Sequence, residues 1–260
     1  MSTTAERLNQ KITLRNKRRA GLQLAIIVPV YNEGGNFNSL WNAIDASIKS
    51  PFKAYIVYDF DEDDTVPIVR KLIESGEKRL ELVKNRRGRG VVGAILSGFD
   101  EVREGPALVV MADLSDDLSQ VDAMLEMYHR GYDLVAGSRY SKGGGIKGGP
   151  VFKQNLSRMA GVSLRVLRGI PTNDSTNAFK LYDKKMLQAI EIESKSGFEL
   201  NLEITVKAFL DGYNICEIPT VWTDRAVGQS KFRIWAWLPQ YIRWYLYAFT
   251  RRRRNNQSIG

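Results

Sequence analysis

LAIIVPVYNE, at Leu24–Glu33, is the stretch on which the fold depends: a short apolar run that stops at Tyr31, Asn32 and Glu33. Such a run is typical of a strand covered on both faces. Similar runs follow at Ala54–Tyr58, Leu80–Val83, Ala107–Met111 and Tyr132–Gly137. The segments between them carry apolar residues at helical spacing. This alternation predicts an α/β fold, Rossmann-like and doubly wound, with a mainly parallel sheet and helices on both faces.

Acidic residues follow three of these strands, where a parallel sheet binds its ligands. They are Glu33 after the first strand, the run Asp59–Asp64 after the second and the run Asp113–Asp117 after the fourth. Capping of the next helix explains part of this set, but not Glu33 or Asp113. One histidine and one cysteine in 260 residues exclude a His-rich or Cys-rich metal centre. An oxygen-ligated Mg²⁺ or Mn²⁺ is therefore the metal that the sequence favours.

Basic residues approach the same edge of the sheet. The run KNRRGRG, at Lys84–Gly90, follows the third strand, and Arg139 follows the fifth. A glycine-rich basic loop that enters a helix can hold phosphate groups. The chain has neither a P-loop nor a G-x-G-x-x-G motif after the first strand, which argues against a dinucleotide oxidoreductase. Acids for a divalent ion and arginines for phosphates together predict a nucleoside-diphosphate ligand.

The net charge of +9 is concentrated at the two ends of the chain. Residues 1–20 hold six basic residues and one acid, and residues 225–260 hold eight basic residues and no acid, which leaves residues 21–224 at −4. This pattern predicts termini that contact an anionic surface, and no nucleic-acid partner. We divide the chain into a basic N-terminal arm (1–20), an α/β domain (21–231) and a C-terminal segment (232–260).

The C-terminal segment is aromatic as well as basic. Phe232–Phe249 holds eight of the 26 aromatic residues, is interrupted by Pro239, and is followed by Arg251–Arg254. It is too short and too broken to span a bilayer, and this composition is typical of an amphipathic helix in a membrane interface. The alternative is a helix docked on the core with a solvated basic tail. Within the domain of residues 21–231, the glycine-rich Lys142–Pro150 predicts a flexible loop.

Several motifs resemble those of family 2 glycosyltransferases with the GT-A fold. Val28–Glu33 (VPVYNE) resembles the VPxYNE opening of that family, Asp59 matches the second acid of its strand-two pair, and Ala112-Asp113 matches the end of its D-x-D metal motif. The later blocks follow in family order: GSRY at 137–140, SR at 157–158, NDSTNAF at 173–179, GFELNLEI at 197–204, EIP at 217–219 and DRAVGQSKF at 224–232. The order is similar to the polyprenyl-phosphate branch, which includes the dolichol-phosphate mannose synthases.

This resemblance implies an inverting glycosyltransferase that moves a sugar from a GDP- or UDP-linked donor to a polyprenyl or dolichyl phosphate. It would be peripheral, at the cytoplasmic face of a membrane that it contacts through the C-terminal segment. The resemblance also implies the residue roles. The residues implied to bind the donor are Pro29, Tyr31, Glu33, Val57, Asp59, Ala112, Asp113 and Arg139. Those implied to bind Mg²⁺ or Mn²⁺ are Asp113, Ser115 and Asp116. Those implied to bind the acceptor phosphate are Arg158, Arg225 and Lys231, and the catalytic residues would be Asp113, Arg225 and Lys231.

Two positions depart from the family pattern. Tyr58 stands for the first acid of the strand-two pair, and Met111 for the first acid of D-x-D. A thioether cannot replace a carboxylate on Mg²⁺. Either Asp116 or Asp117 therefore supplies the missing carboxylate, or the metal is bound weakly, or it is not needed. Two alternatives therefore stay open. One is the same fold acting on a saccharide or protein hydroxyl, with Asp116, Asp174 or Glu199 as base, and the other is a non-catalytic relative. The oligomeric state is not predicted.

Overall fold

A computed structural model describes residues 19, 21–195, 197–224 and 234–254; the side chains of 234–237 are not described. The first half alternates strands and helices: β1 (Leu24–Pro29), α1 (Gly34–Ser47), β2 (Phe52–Tyr58), α2 (Thr65–Glu74), β3 (Leu80–Lys84), α3 (Val91–Glu101), β4 (Pro106–Val109), a 3₁₀ turn (Leu118–Gln120), α4 (Val121–His129) and β5 (Leu134–Ser138). The second half adds β6 (Gly145–Lys147), α5 (Val151–Arg168), β7 (Lys180–Asp183), α6 (Lys184–Ala189), α7 (Glu199–Leu210), β8 (Ile215–Pro219), β9 (Val221–Thr223) and α8 (Ile234–Tyr247).

Seven strands form the central sheet in the order β3-β2-β1-β4-β7-β5-β8. All neighbours are parallel except β7, which lies antiparallel between β4 and β5. Alternate residues of β1 enter opposite cores, Ala25 and Ile27 on one face and Leu24, Ile26 and Val28 on the other. Helices α3, α7 and α8 cover the first face, and α1 and α4 cover the second. The predicted α/β architecture, mainly parallel with helices on both faces, is therefore confirmed.

Two pairs of elements were not predicted. The first is β7 with α6, because a four-residue strand followed by a six-residue helix shows no clear period in the sequence. The second is a small sheet in which β6 pairs with β9, joining Gly145–Lys147 to Val221–Thr223. The prediction of a flexible loop over Lys142–Pro150 is wrong at its centre, because β6 lies there.

Helix α8 docks on the core through α7. Trp244 is buried, and the Lys207 ammonium of α7 lies 4.7 Å from the centroid of its ring. Arg243, beside Trp244, also pairs with Glu193 just before α7. The C-terminal segment therefore has one buried face, as the docked-helix interpretation predicts, although Pro239 lies inside the helix.

The N-terminal arm reaches the core at Arg19, which is 4% exposed. Its guanidinium donates to Asp133 Oδ1 and to Asp183 Oδ2, both at 2.7 Å. It also donates to the carbonyl oxygens of Tyr128 and Tyr132 and lies 4.3 Å from the Tyr128 ring centroid. Asp133 precedes β5 and Asp183 ends β7, so Arg19 joins two neighbouring strands. Its charge is neutralised inside the protein and does not reach an external surface.

Replacing Arg19 with methionine should lower the free energy of unfolding by about 3–5 kcal/mol, because two buried carboxylates lose their counter-ion. The matched control is Arg130→Met, which removes only the exposed pair with Glu126 and should cost under about 1 kcal/mol. Urea denaturation of both variants measures the difference. If the Arg19 and Arg130 variants lose the same free energy of unfolding, Arg19 does not join β5 to β7.

Candidate active site

The loop after β1 is held in place by the loop before α2. The backbone N–H groups of Asn32, Glu33 and Gly34 donate to Asp63 Oδ2, Thr65 Oγ1 and Asp64 Oδ1, at 2.8–3.0 Å. Asn32 adopts a positive φ of 54° to make this turn. Asp63 and Asp64 therefore fix the neighbouring loop, and this interaction accounts for two acids of the run after β2.

Most of the predicted donor residues lie around the carboxyl ends of β1 and β2. Pro29 is in register with Val57, and the half-exposed Tyr31 packs edge-on against Phe60 at 5.5 Å between ring centroids. Glu33 Oε2 accepts from the Asn36 side chain. The donor-binding role predicted for Val57 does not fit the structure, because its side chain lies in the core, is 0% exposed and offers no surface to a ligand. Ala112, at 3% exposed, also has a buried side chain.

Asp59 organises the glycine-rich loop after β3. Its carboxylate accepts from the Asn85 side chain at 2.6 Å and from the Gly90 N–H at 2.8 Å. The loop folds tightly onto α3, since a Cβ at Gly93 would lie 1.7 Å from the Gly88 carbonyl oxygen. Arg86 and Arg87 pair with Glu101 and Asp100 of α3. The loop is thus anchored, and two of its three arginines face acids of the same protein.

The Met-Ala-Asp sequence after β4 forms a tight turn with Asp116. The Met111 N–H donates to Asp116 Oδ2 at 3.0 Å, and the Ser115 N–H donates to Asp113 Oδ1 at 3.2 Å. Burial, together with the nearby charge of Asp113, raises the pKa of Asp116 to about 7. Asp117 caps the following 3₁₀ turn through Ser119. Asp116, and not Asp117, is therefore the carboxylate that lies next to Met111.

The residues around Asp113 fit a divalent cation that is shared with a ligand. The described part of the chain contains no group of three or more His, Cys, Asp or Glu residues able to hold a metal alone. Asp113 and Asp116 supply two carboxylates, and Ser115 lies between them in the same turn. Mg²⁺ is commonly bound by one or two carboxylates together with substrate phosphates. The set is therefore complete only when phosphate oxygens are added.

Arg139, at the end of β5, forms a buried ion pair with Asp174. Its Nε and Nη2 donate to the two carboxylate oxygens at 2.7 and 2.8 Å, and Nη2 also reaches Ser157 Oγ at 3.2 Å. Burial alone would raise the pKa of Asp174, but the Arg139 guanidinium holds this pKa below its usual range. Lys180 donates to the carbonyl oxygens of Ser175 and Asn177 and fixes the loop that carries Asp174. Burial lowers the pKa of Lys180 to about 7.

A cleft of about 770 Å³ connects the turn after β4 with Arg139 and Ser157. At one end lie Met111, Asp113, Ser115 and Asp116; Arg139, Lys153, Ser157 and Asp224 also line it. The rest of the cleft runs between α5 and α8, with Leu156, Met159, Ala160, Ser163, Leu238, Tyr241, Ile242 and Tyr245 among its walls. The cleft is therefore acidic at one end, basic beside Arg139 and largely apolar between the two helices.

Helix α5 presents a different residue from the one predicted. Arg158 is exposed and does not line the cleft, whereas Lys153 and Ser157 do. Lys153, Ser157 and Ala160 are spaced by four and three residues and share one helical face, and Arg158 lies about 100° further round. The structure thus brings Lys153 and Ser157, and not Arg158, to the cleft wall, and the phosphate-binding role of Arg158 stays a prediction. The sequence carried no signal for which of these residues lines the cleft, because this depends on how α5 packs.

Residues 25–191 match the model of a protein family described as glycosyl transferase family 2. The chain belongs to glycosyltransferase family 2. The resemblance and the enzyme class inferred from the sequence are thereby confirmed.

This glycosyltransferase is similar to two enzymes that are named for polyprenol and dolichol phosphates. It is 27% identical to a polyprenol monophosphomannose synthase of Mycolicibacterium smegmatis, over 79% of each chain. It is also 27% identical to a dolichol-phosphate mannosyltransferase of Pyrococcus furiosus, over 82% of this chain and 60% of the relative.

Solved structures share its fold. One is glucosyl-3-phosphoglycerate synthase from Mycobacterium tuberculosis with Mn²⁺, UDP-glucose and phosphoglyceric acid, at a TM-score of 0.67 and 15% identity, covering 91% of this chain and 83% of that one. The same enzyme with Mg²⁺ and UDP gives a TM-score of 0.62 over the same shares of the two chains. These likenesses confirm the GT-A architecture.

Two of the predicted catalytic residues of the glycosyltransferase, Arg225 and Lys231, lie outside the described residues, so their roles stay predictions. The described chain stops at Asp224 and resumes in α8, and both flanks contribute to the cleft wall.

Replacing Asp174 with asparagine should lower the free energy of unfolding at neutral pH by about 3–5 kcal/mol, because Arg139 loses its buried counter-ion. The folded-state pKa of Asp174 is depressed, so the parent gains this stability above the ordinary carboxyl pKa of about 4 and loses it as the pH falls. The variant should therefore show a weaker acid destabilisation in denaturant titrations across pH. Asp100→Asn, which breaks the exposed pair with Arg87, is the control and should cost under about 1 kcal/mol. A parent-like pH profile in the Asp174 variant would contradict the assignment.

Proposed function

We propose that this glycosyltransferase moves a sugar, with inversion, from a nucleotide-sugar donor to a polyprenyl phosphate. The observation that carries the proposal is the cleft itself, which joins the acids after β4 to a mainly apolar passage between α5 and α8. A nucleotide sugar needs a polar site, and an isoprenoid chain needs an apolar one. The two relatives named for polyprenol and dolichol phosphate support the same acceptor class.

The donor diphosphate is proposed to lie at the acidic end. Asp113 and Asp116, with Ser115, would hold Mg²⁺ or Mn²⁺ there, and the bound ion would offset the charge of the departing nucleoside diphosphate. Asp116 takes the place of the carboxylate that Met111 lacks, because its oxygen already contacts the Met111 N–H. The half-exposed Tyr31 with Pro29, Glu33 and Asp59 would receive the base and ribose.

The acceptor phosphate is proposed to lie between Arg139, Lys153 and Ser157, which meet in the cleft beside the apolar passage. A phosphate is already anionic near neutral pH and needs less help from a general base than a hydroxyl does. The protein's contribution is then to orient the phosphate oxygen toward the anomeric carbon and to screen repulsion between the two anionic substrates. Arg225 and Lys231 would add positive charge to the same phosphates.

The hydroxyl-acceptor alternative is less well supported. Of its three candidate bases, Asp174 has both carboxylate oxygens bonded to Arg139, and Glu199 is 0% exposed. Asp116 contacts the Met111 N–H at the donor end of the cleft. Asp174 and Glu199 are therefore poorly suited to act as a base toward a neutral acceptor hydroxyl, and we assign Asp116 to the metal.

We propose that the enzyme acts at the cytoplasmic face of a membrane as a peripheral protein, because two relatives are named for polyprenol and dolichol phosphates. None of the helices in the described ranges is long and apolar enough to cross a bilayer.

Replacing Asp113 with alanine should reduce sugar transfer at least about a hundredfold, because an anion-stabilising group is lost at the reacting diphosphate. It should also remove the Mn²⁺-dependent part of nucleoside-diphosphate binding, measured by isothermal titration calorimetry with and without Mn²⁺. The control is Asp117→Asn in the same loop, which keeps an oxygen for the cap on Ser119 and lies outside the cleft. Full activity in the Asp113 variant would show that the role proposed for Asp113 is wrong, whereas a parent protein without transfer activity would support the non-catalytic alternative.

Thermal denaturation with GDP or UDP, each with and without Mn²⁺, should distinguish the two donor classes. A ligand at a hundredfold excess over its dissociation constant stabilises the folded state by about 2.7 kcal/mol. We expect one of the two nucleotides, in the presence of Mn²⁺, to raise the melting temperature more than the other. If neither nucleotide raises it, the donor site is wrong.

A further inference from the structure

The exposed apolar side chains are concentrated on two neighbouring helices. Ten large hydrophobic residues are exposed in the described part of the chain, and two of these, Tyr31 and Leu114, belong to the donor end of the site. The other eight are on α5 or at α8 and its end: Val151, Phe152, Met159, Val166, Leu167, Ile242, Leu246 and Phe249. A cluster of this kind on a soluble domain marks an interaction surface.

These residues form two lines that follow the helical repeat. Phe152, Met159 and Val166 are seven residues apart and lie on one side of α5. Ile242, Leu246 and Phe249 are spaced by four and three residues and lie on one side of α8 and the turn that ends it. The opposite side of α8, at Trp244 and Ala248, is buried in the core. The apolar lines are therefore additional to the faces that pack internally.

The two helices are held together as one surface. The Tyr245 hydroxyl donates to Ser163 Oγ at 3.0 Å. Arg168, the last residue of α5, donates to the carbonyl oxygens of Ala248 and Arg251, both at 2.6 Å, and its guanidinium lies 5.6 Å from the Phe249 ring centroid. We call the eight exposed side chains on these helices the apolar face.

The charges around the apolar face are positive. Helix α5 carries four basic residues and no acid, and Arg251–Arg254 follow α8 directly. Arg165 is paired with Glu217 and Arg254 lies near Asp211. Arg158 is exposed on α5, and Arg251, Arg252 and Arg253 are exposed after α8. Apolar side chains beside basic ones complement a bilayer surface that contains anionic lipids.

The cleft opens on this face. Met159 of α5 and Ile242 of α8 are 69% and 48% exposed, and both also line the cleft. Behind them, Leu156 and Ala160 face Leu238, Tyr241 and Tyr245 across the passage. A lipid chain that leaves a bilayer under the apolar face would thus meet an apolar entrance and not open water.

We propose that the apolar face rests on an anionic lipid leaflet, and that the isoprenoid chain of the acceptor enters the cleft between Met159 and Ile242. The inference rests on the proposed function, to which it adds the path of the acceptor. It assigns membrane contact to α5 as well as to the C-terminal segment, and it gives the two helices a shared task.

The face is tested with vesicles of phosphatidylcholine and phosphatidylglycerol in a flotation assay. Val166→Glu and Leu246→Glu place a charge on the apolar face outside the cleft, and each should weaken binding about tenfold or more. Asn42→Glu makes the same charge change on exposed α1 and should bind like the parent. If the two face variants also bind like the parent, or if the parent does not bind, the face is not a membrane surface.

The path of the isoprenoid chain is tested by sugar transfer to undecaprenyl phosphate, which is supplied either in the same vesicles or dissolved in detergent. The face variants should lose transfer in vesicles and keep it in detergent, because only docking is impaired. Ala160→Trp fills the passage without adding charge; it should bind vesicles and nucleoside diphosphate like the parent, and lose about tenfold or more of transfer in both media. If the Ala160→Trp variant transfers sugar in detergent as well as the parent does, the proposed path of the isoprenoid chain is wrong.

The proposed acceptor and the proposed membrane contact are contradicted by different results. If the parent enzyme transfers no sugar to undecaprenyl phosphate in detergent, the proposed acceptor is wrong, and the path of the chain is wrong with it. The flotation assay needs no substrate, so it still decides whether the apolar face binds lipid. Transfer by the parent combined with unimpaired face variants contradicts this inference alone.

Discussion

The buried ion pair between Arg139 and Asp174 fixes the arrangement on which the rest of the site depends. It joins the end of β5 to the loop before β7, and through Ser157 it reaches α5. Asn177 donates to the Gly137 carbonyl oxygen, and a Cβ at Gly161 of α5 would lie 2.0 Å from the Asn173 carbonyl oxygen. Moving any of these elements would deprive the fully buried Asp174 carboxylate of its counter-ion. The wall that divides the acidic end of the cleft from its apolar passage is therefore rigid.

Charge is distributed differently from what a net value of +9 suggests. Arg19 and Arg139 are neutralised by buried aspartates, and Arg87 is paired with Asp100 on the surface. Exposed positive charge next to the apolar face comes from Arg158 on α5 and from the arginines after α8. The acids, in contrast, lie at the other end of the cleft, where burial and mutual repulsion favour a bound cation.

Much of the fold followed from the sequence, because continuous apolar runs and helical spacing define β1 to β5 and the helices between them. The strand-end rule then located Glu33, Asp59, Asp113 and Arg139 without any contact information. Other features depend on tertiary packing and could not be predicted from the sequence. The antiparallel β7 has only four residues, and β6 needs β9 as its partner. The rotation of α5 decides that Lys153, and not Arg158, lines the cleft. Val57 lies in a core strand, and its motif position gave no warning that its side chain is buried.

We propose that Asp113 and Asp116 form a two-carboxylate metal site that a nucleoside diphosphate completes. Anomalous X-ray diffraction from crystals soaked with Mn²⁺ and the preferred nucleoside diphosphate measures this directly. We expect one manganese peak within coordination distance of an Asp113 oxygen and of the diphosphate, with Asp116 turned toward the ion. A well-ordered diphosphate with no manganese beside Asp113, or with manganese bound elsewhere, would contradict it.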